Sequence, residues 1–180
     1  MKKMTLITAL IVITNFTFAQ QVAKAKEQDV SNAEKFSERA GSLVQKEFID
    51  IGTIKKCEIQ VAKFTDLISG QKSSAVRFEY EYKSSYSSDT KIAMLDEDEI
   101  EGLIKSIKII QEKVLPTTAS NYTEVNFRSR SGFAAGCFSK KDTWTTFMKL
   151  EKFDSNSYVF MDKDDLTQLF TLLQQAKAKL

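Results

Sequence analysis

"IAMLDEDEIEGLIKSIKIIQEKV" (Ile92–Val114) is written a second time, respelled, as "YVFMDKDDLTQLFTLLQQAKAKL" (Tyr158–Leu180), 66 residues further on. Asp96 falls on Asp162, Asp98 on Asp164, Leu103 on Leu169 and Ile107 on Leu173. An internal duplication is the economical reading of such an offset. In the first copy Ile100, Leu103, Ile104, Ile107, Ile110 and Val114 recur at helical spacing, and in the second Leu166, Leu169, Phe170, Leu173 and Ala176 do. Each copy therefore predicts an amphipathic helix with one apolar stripe. Pro116 lies just past the first helix, where helices stop.

The repeated acidic phrase reads as helix punctuation. Asp96 and Asp162 are expected N-caps, with Glu99 and Asp165 at the reciprocal position of a capping box. Leu95 and Met161 precede the caps, and Ile100 and Leu166 follow, as the two ends of a hydrophobic staple require. The further acids Glu97, Asp98 and Asp164 stand where the helix dipole favours negative charge. A calcium loop needs ligands spread over about twelve residues before its helix begins, with a glycine at the sixth. Here the helix starts at once, so no metal site is expected.

Ahead of each helix the period changes from helical to alternating. "AVRFEYEYK" puts Val76, Phe78, Tyr80 and Tyr82 on one face and Arg77, Glu79, Glu81 and Lys83 on the other. "TWTTFMKLE" turns Trp144, Met148 and Leu150 inward, and "TEVNFRSR" turns Val125 and Phe127 inward with Asn126, Arg128 and Arg130 outward. Four strands are expected in the first half, at Ser42–Ile54, Cys57–Ile68, Ser73–Ser84 and Thr90–Leu95. The second half repeats them at Tyr122–Arg130, Phe133–Lys140, Thr143–Phe153 and Ser157–Met161. The fold class is thus α+β: tandem β4α halves over residues 42–116 and 117–180, packed as a pseudo-two-fold unit with a shared core. A strict 66-residue offset would instead pair Glu58–Val61 with Glu124–Phe127 and leave Ser42–Ile54 outside the repeat. The four-strand version is preferred because it gives both halves one order. Residues 20–41 are a polar lead-in in which "SNAEKFSERAG" carries an S-x-x-E helix start at Ser31 and Glu34.

The first 19 residues read as a cleavable signal peptide: Lys2 and Lys3, an uncharged run from Met4 to Phe18, then Thr17-Phe18-Ala19 ahead of a cut before Gln20. The run is shorter than the roughly 18 residues of a spanning helix, so a mature chain without an integral membrane segment, exported to the periplasm or secreted, is expected. Removing the two lysines turns 26 basic and 24 acidic residues into 24 of each. A neutral mature chain lacks the basic excess that drives phosphate-backbone binding, so a nucleic-acid partner is not expected. Cys57 and Cys137 match no redox or zinc spacing. Export permits a disulfide between them, the alternative being two buried strand thiols.

The chain contains no histidine, which removes Ser-His-Asp and Cys-His nucleophiles and imidazole metal ligands. No glycine-rich phosphate loop is present. Neither a cofactor nor catalysis is expected. A hydrolase using carboxylates such as Glu79 and Glu81 is the remaining enzymatic alternative, though a charge-balanced solvated face explains the same residues. Arg128, Arg130 and Phe147, all at outward parity, are the candidate binding residues, since an aromatic beside arginines is the usual composition of an interaction hot spot. The expected function is that of a non-enzymatic module binding a protein, peptide or surface glycan. In element order alone, two β4α halves are similar to the PUR-type and Whirly-type binders of single-stranded nucleic acid. That resemblance implies single-strand binding as the alternative function.

Overall fold

The computed structural model describes residues 30–85 and 87–180; the expected signal peptide and the lead-in before residue 30 lie outside the described residues. A short helix α1 (Asn32–Ser37) is followed by β1 (Val44–Ile54), β2 (Cys57–Asp66), β3 (Lys72–Lys83), β4 (Ser88–Leu95) and α2 (Glu97–Ile109). The order then repeats with β5 (Thr123–Arg128), β6 (Ala134–Lys140), β7 (Thr143–Lys149), β8 (Tyr158–Met161) and α3 (Lys163–Lys177). Each group of four strands forms one antiparallel sheet in sequence order. Two α+β halves of the same element order result, as the alternating and helical periods required.

Two tight hairpins fix the register. Ile54 opposes Cys57 across Lys55-Lys56, and Lys140 opposes Thr143 across Lys141-Asp142. All four turn residues have positive φ (47°, 78°, 52° and 60°). A two-residue turn with this left-handed pair matches the natural twist of the strands it joins. Because β1 is the first strand of its own sheet, its counterpart by position is β5, and the 66-residue offset applies only to the last strand and helix.

The inner faces of both sheets and both long helices bury one contiguous apolar cluster. It contains Ile59, Phe78 and Leu95 from the first half, Cys137, Met148 and Val159 from the second, and Leu103, Ile107, Leu169 and Leu173 from the helices. Phe78 and Phe133 meet at its centre, with ring centroids 4.9 Å apart. Each helix reaches across to the other half's sheet. Leu172 of α3 lies so close over Gly52 of β1 that a Cβ there would stand 2.8 Å from its Cδ2. Phe127 of β5 lies similarly on Gly102 of α2, with Cε2 3.1 Å from where a Cβ would be.

The outer faces of the sheets differ. On the first, α1 packs Ala33 and Phe36 over Ala62, Phe64 and Ala75, closing off a second, smaller core. Its start is a capping box: Ser31 Oγ accepts the Glu34 N–H at 3.1 Å, and Glu34 Oε2 accepts the Ser31 N–H at 2.9 Å. Over the outer face of the second sheet no helix is packed among the described residues. Nor is any helix of the described residues long and apolar enough to cross a membrane.

Candidate functional site

The acidic phrases hold the two halves together. At α3, Asp162 Oδ1 accepts the N–H groups of Asp164 (3.0 Å) and Asp165 (2.9 Å), and Asp165 Oδ2 accepts the Asp162 N–H (2.9 Å). Lys55, at the tip of the β1–β2 hairpin, ion-pairs with Asp162 (3.3 Å) and Asp165 (3.0 Å). Asp96 occupies the N-cap of α2, and Glu99 Oε2 accepts its N–H at 2.9 Å. The carboxylate of Asp96, however, directs its strong hydrogen bonds outside α2. It accepts the N–H groups of Asn32 (2.8 Å) and Ala33 (3.1 Å), the orphan donors at the start of α1. A residue expected to cap its own helix thereby also anchors another one 64 residues away.

Arg130 completes this cluster from the β5–β6 turn. Its guanidinium is bidentate to Asp98 (both contacts 2.8 Å) and donates to Asp96 at 2.7 Å, while Glu99 Oε1 accepts the Arg130 backbone N–H at 2.7 Å. The carboxylates of Asp96, Asp98 and Glu99 could together hold a metal ion, but the cation already among them is this guanidinium. Arg130 holds the Asp98 carboxyl below the usual carboxylate range. Arg130 had been expected outward on a strand beside Arg128; β5 ends at Arg128, and the turn that follows aims Arg130 into the acids instead. A third cross-link is Lys91 of β4, which pairs with Asp154 of the β7–β8 loop at 2.5 Å.

The outer face of the second sheet is built differently. The register places Arg128, Ala134, Lys149 and Tyr158 in one row across the four strands. Asn126, Gly136, Phe147 and Phe160 form the next, and Glu124 with Phe138 and Thr145 the third. Ala134 and Gly136 lack bulk, so β6 is the floor of a trough of about 340 Å³ between a polar wall on β5 and an aromatic wall on β7 and β8. Gly136 is required there for a backbone reason: a Cβ would lie 2.0 Å from the Val125 carbonyl oxygen.

Ring contacts run across the sheet from Tyr122 to Phe138, Phe147, Tyr158 and Phe160, with successive centroids 5.4–6.3 Å apart. Tyr122 (66% exposed) and Phe160 (55%) stand open at the two ends. Phe147, expected to be an exposed anchor, does face outward but is only 6% exposed, because Phe138 and Tyr158 pack on either side of it. Arg128, Lys149 and Lys152 line one end of the trough, and none of the three forms an ion pair among the described residues. Lys149 lies over the Tyr158 ring, 4.9 Å from its centroid. At the other end Glu124 accepts a hydrogen bond from the Tyr122 hydroxyl, which raises the phenol above its ordinary value. Asn126 Oδ1 is buried without a hydrogen-bond partner, an arrangement that costs free energy unless something satisfies it.

The two thiols, Cys57 and Cys137, are free and buried in the shared core, and burial pushes them up to about 12 and about 11. The carboxylates of the hydrolase alternative are already engaged: Glu79 with Arg77, and Glu81 with Lys83 and Ser88, which lower Glu81 below its ordinary value. Comparison of the chain with protein-family models, curated proteins and solved structures finds no match.

Proposed function

We propose that this chain is an exported, non-catalytic binding module whose binding surface is the outer face of the second sheet. In this reading the two β4α halves arose by duplication and pack about a pseudo-two-fold axis. Reciprocal features support that symmetry: α3 lies on β1 as α2 lies on β5, and a cation from the first hairpin of each half (Lys55, Arg130) meets the acidic phrase of the other. The observation that carries the function is the trough itself. Aromatic rings and three cations without carboxylate partners converge on it, whereas α1 covers one end of the corresponding face of the first sheet and the rest of that face carries charge-paired side chains such as Glu79 and Glu81. Convergent polar groups beside apolar surface are what a recognition site needs. The absence of histidine from the sequence, and the engagement of Glu79 and Glu81, support a non-catalytic role.

Single-stranded nucleic acid is the second reading, favoured by the same ring-plus-cation composition. Both readings are tested by array binding with immobilised glycans, peptides and oligonucleotides. Wild type is compared with an Arg128→Ala/Phe160→Ser variant and with Phe48→Ser, an exposed aromatic of the first sheet's outer face. Loss of binding in the first variant alone is expected. Ligands that bind all three proteins equally would remove the trough as the site. An oligonucleotide preference with a steep salt dependence would reverse the order of the two readings.

A further inference from the structure

We infer that the trough binds a sugar chain at a residue bearing a single carboxylate, set beside neutral sugars; this rests on the reading of the second sheet's outer face as the binding surface. The argument comes from how unlike the two walls are. The β7–β8 wall is aromatic (Phe147, Tyr158, Phe160), while the β5 wall presents an acceptor, an amide and a donor in sequence (Glu124, Asn126, Arg128). A pyranose ring has the matching asymmetry, with an apolar C–H face and a rim of hydroxyl groups. Asn126 lines the trough between Glu124 and Arg128 with its Nδ2 3.4 Å from Glu124 Oε2, adding an N–H donor to the polar wall that a ligand hydroxyl can meet.

Charge placement narrows the ligand further. The cations occupy one row and its margin, Arg128, Lys149 and Lys152, where Arg128 can take a carboxylate bidentately. Glu124 stands four residues along the same strand from Arg128, two rows away, and repels a second anion at the far end. A nucleic acid carries a phosphate for every base and needs cations all along the rings. A peptide laid across a sheet face finds no strand edge for its backbone N–H and C=O groups, which β-addition would supply. A neutral sugar next to one uronate has neither difficulty.

The test is calorimetric titration of the full mature chain with a xylo-oligosaccharide carrying one glucuronate. Its carboxyl-reduced counterpart, an acidic tyrosine-containing peptide and oligo-dT are titrated in parallel. Saturable binding of the glucuronate probe is expected. Carboxyl reduction should weaken it at least about tenfold, since a charge-assisted bidentate contact is lost. Arg128→Ala should do the same, Phe160→Ala should weaken it severalfold, and Lys72→Ala on the first sheet should leave it unchanged. Because the reduced sugar alters the ligand rather than the protein, a misfolded variant cannot imitate that result. The inference is overturned if the reduced sugar binds equally well or the glucuronate probe does not bind. Should the peptide or oligo-dT then bind in a manner dependent on Arg128 and Phe160, the surface stands and the sugar assignment fails. If no probe depends on both residues, surface and ligand fall together.

Discussion

Replacing Asp96 by alanine should cost far more than removing an ordinary helix cap. Asp96 is 7% exposed and receives the Asn32 N–H, the Ala33 N–H and the Arg130 guanidinium. A hydrogen bond to a charged group contributes about 1.5–3 kcal/mol, and a buried donor left unsatisfied costs about 1–3 kcal/mol. Ala33 is fully buried, so water cannot replace its lost acceptor without opening the α1 contact. The Asn32 site is partly buried and recovers some hydration, while Arg130 keeps Asp98 and Glu99. These terms share partners and do not add fully, which gives a loss of about 2–4 kcal/mol. Against a typical total of about 5–15 kcal/mol this is a large fraction. Urea unfolding followed by Trp144 fluorescence measures it, with the slope checked for constancy. Asp162→Ala, at an exposed cap, is the comparison and should cost clearly less. In the Asp96 variant the Ala33 amide should also lose its hydrogen-exchange protection. A loss below about 1 kcal/mol with that amide still protected would refute the anchoring role.

Three further outcomes follow from the same geometry. The carboxyls of Asp98, Asp154 and Asp162 are lowered by Arg130, by Lys91 and by the Asp165 backbone N–H respectively, so their stabilisation is present above the unfolded carboxylate value. It is lost as pH falls through and below that value, between about pH 5 and pH 2, and without histidine the melting temperature should be flat from about pH 5.5 to 7.5; a midrange step would contradict this. Cys57 and Cys137, buried and raised, should resist a thiol reagent at pH 8 or below in the folded protein and both react after urea is added; rapid labelling of either in the folded state would place it at the surface. Gly136→Ala should force β5 from β6, costing about 1–3 kcal/mol as overpacking does, and should weaken the trough's ligand more than Ala134→Gly does; an unchanged unfolding midpoint would mean the strands are not so close.

The element order of the two halves was legible because it rests on local periodicity. Alternation from Val76 to Tyr82, the staple around Asp96 and the stripe from Ile100 to Ile110 each specify one element without its neighbours. The partners of Asp96 and Arg130 were not legible. Asn32 and Ala33 lie more than 60 residues from Asp96 along the chain, and only the packing of α1 on the first sheet brings them together. Arg130 was misplaced by extending the strand period two residues beyond the end of β5 at Arg128. The trough was half visible. Arg128 and Phe147 were identified, yet Phe138, Tyr158 and Phe160 share their outward parity, and that run of aromatics on the polar side of the period is the signal that marks the face. What parity does not reveal is that neighbouring rings would bury Phe147 and leave Phe160 and Tyr122 open.

The central claim is that the halves are one interlocked body, with each helix completing the other half's core and thereby fixing the sheet that carries the trough. Separate expression of residues 20–116 and 117–180 tests it most directly. Either half buries too little apolar surface alone for stable folding, and each would leave uncovered the strand that the other half's helix packs on. Neither fragment should give a cooperative urea transition by itself, and mixing the two should restore strand and helix circular dichroism with one transition. A fragment that unfolds cooperatively with the stability of the whole chain would contradict the account.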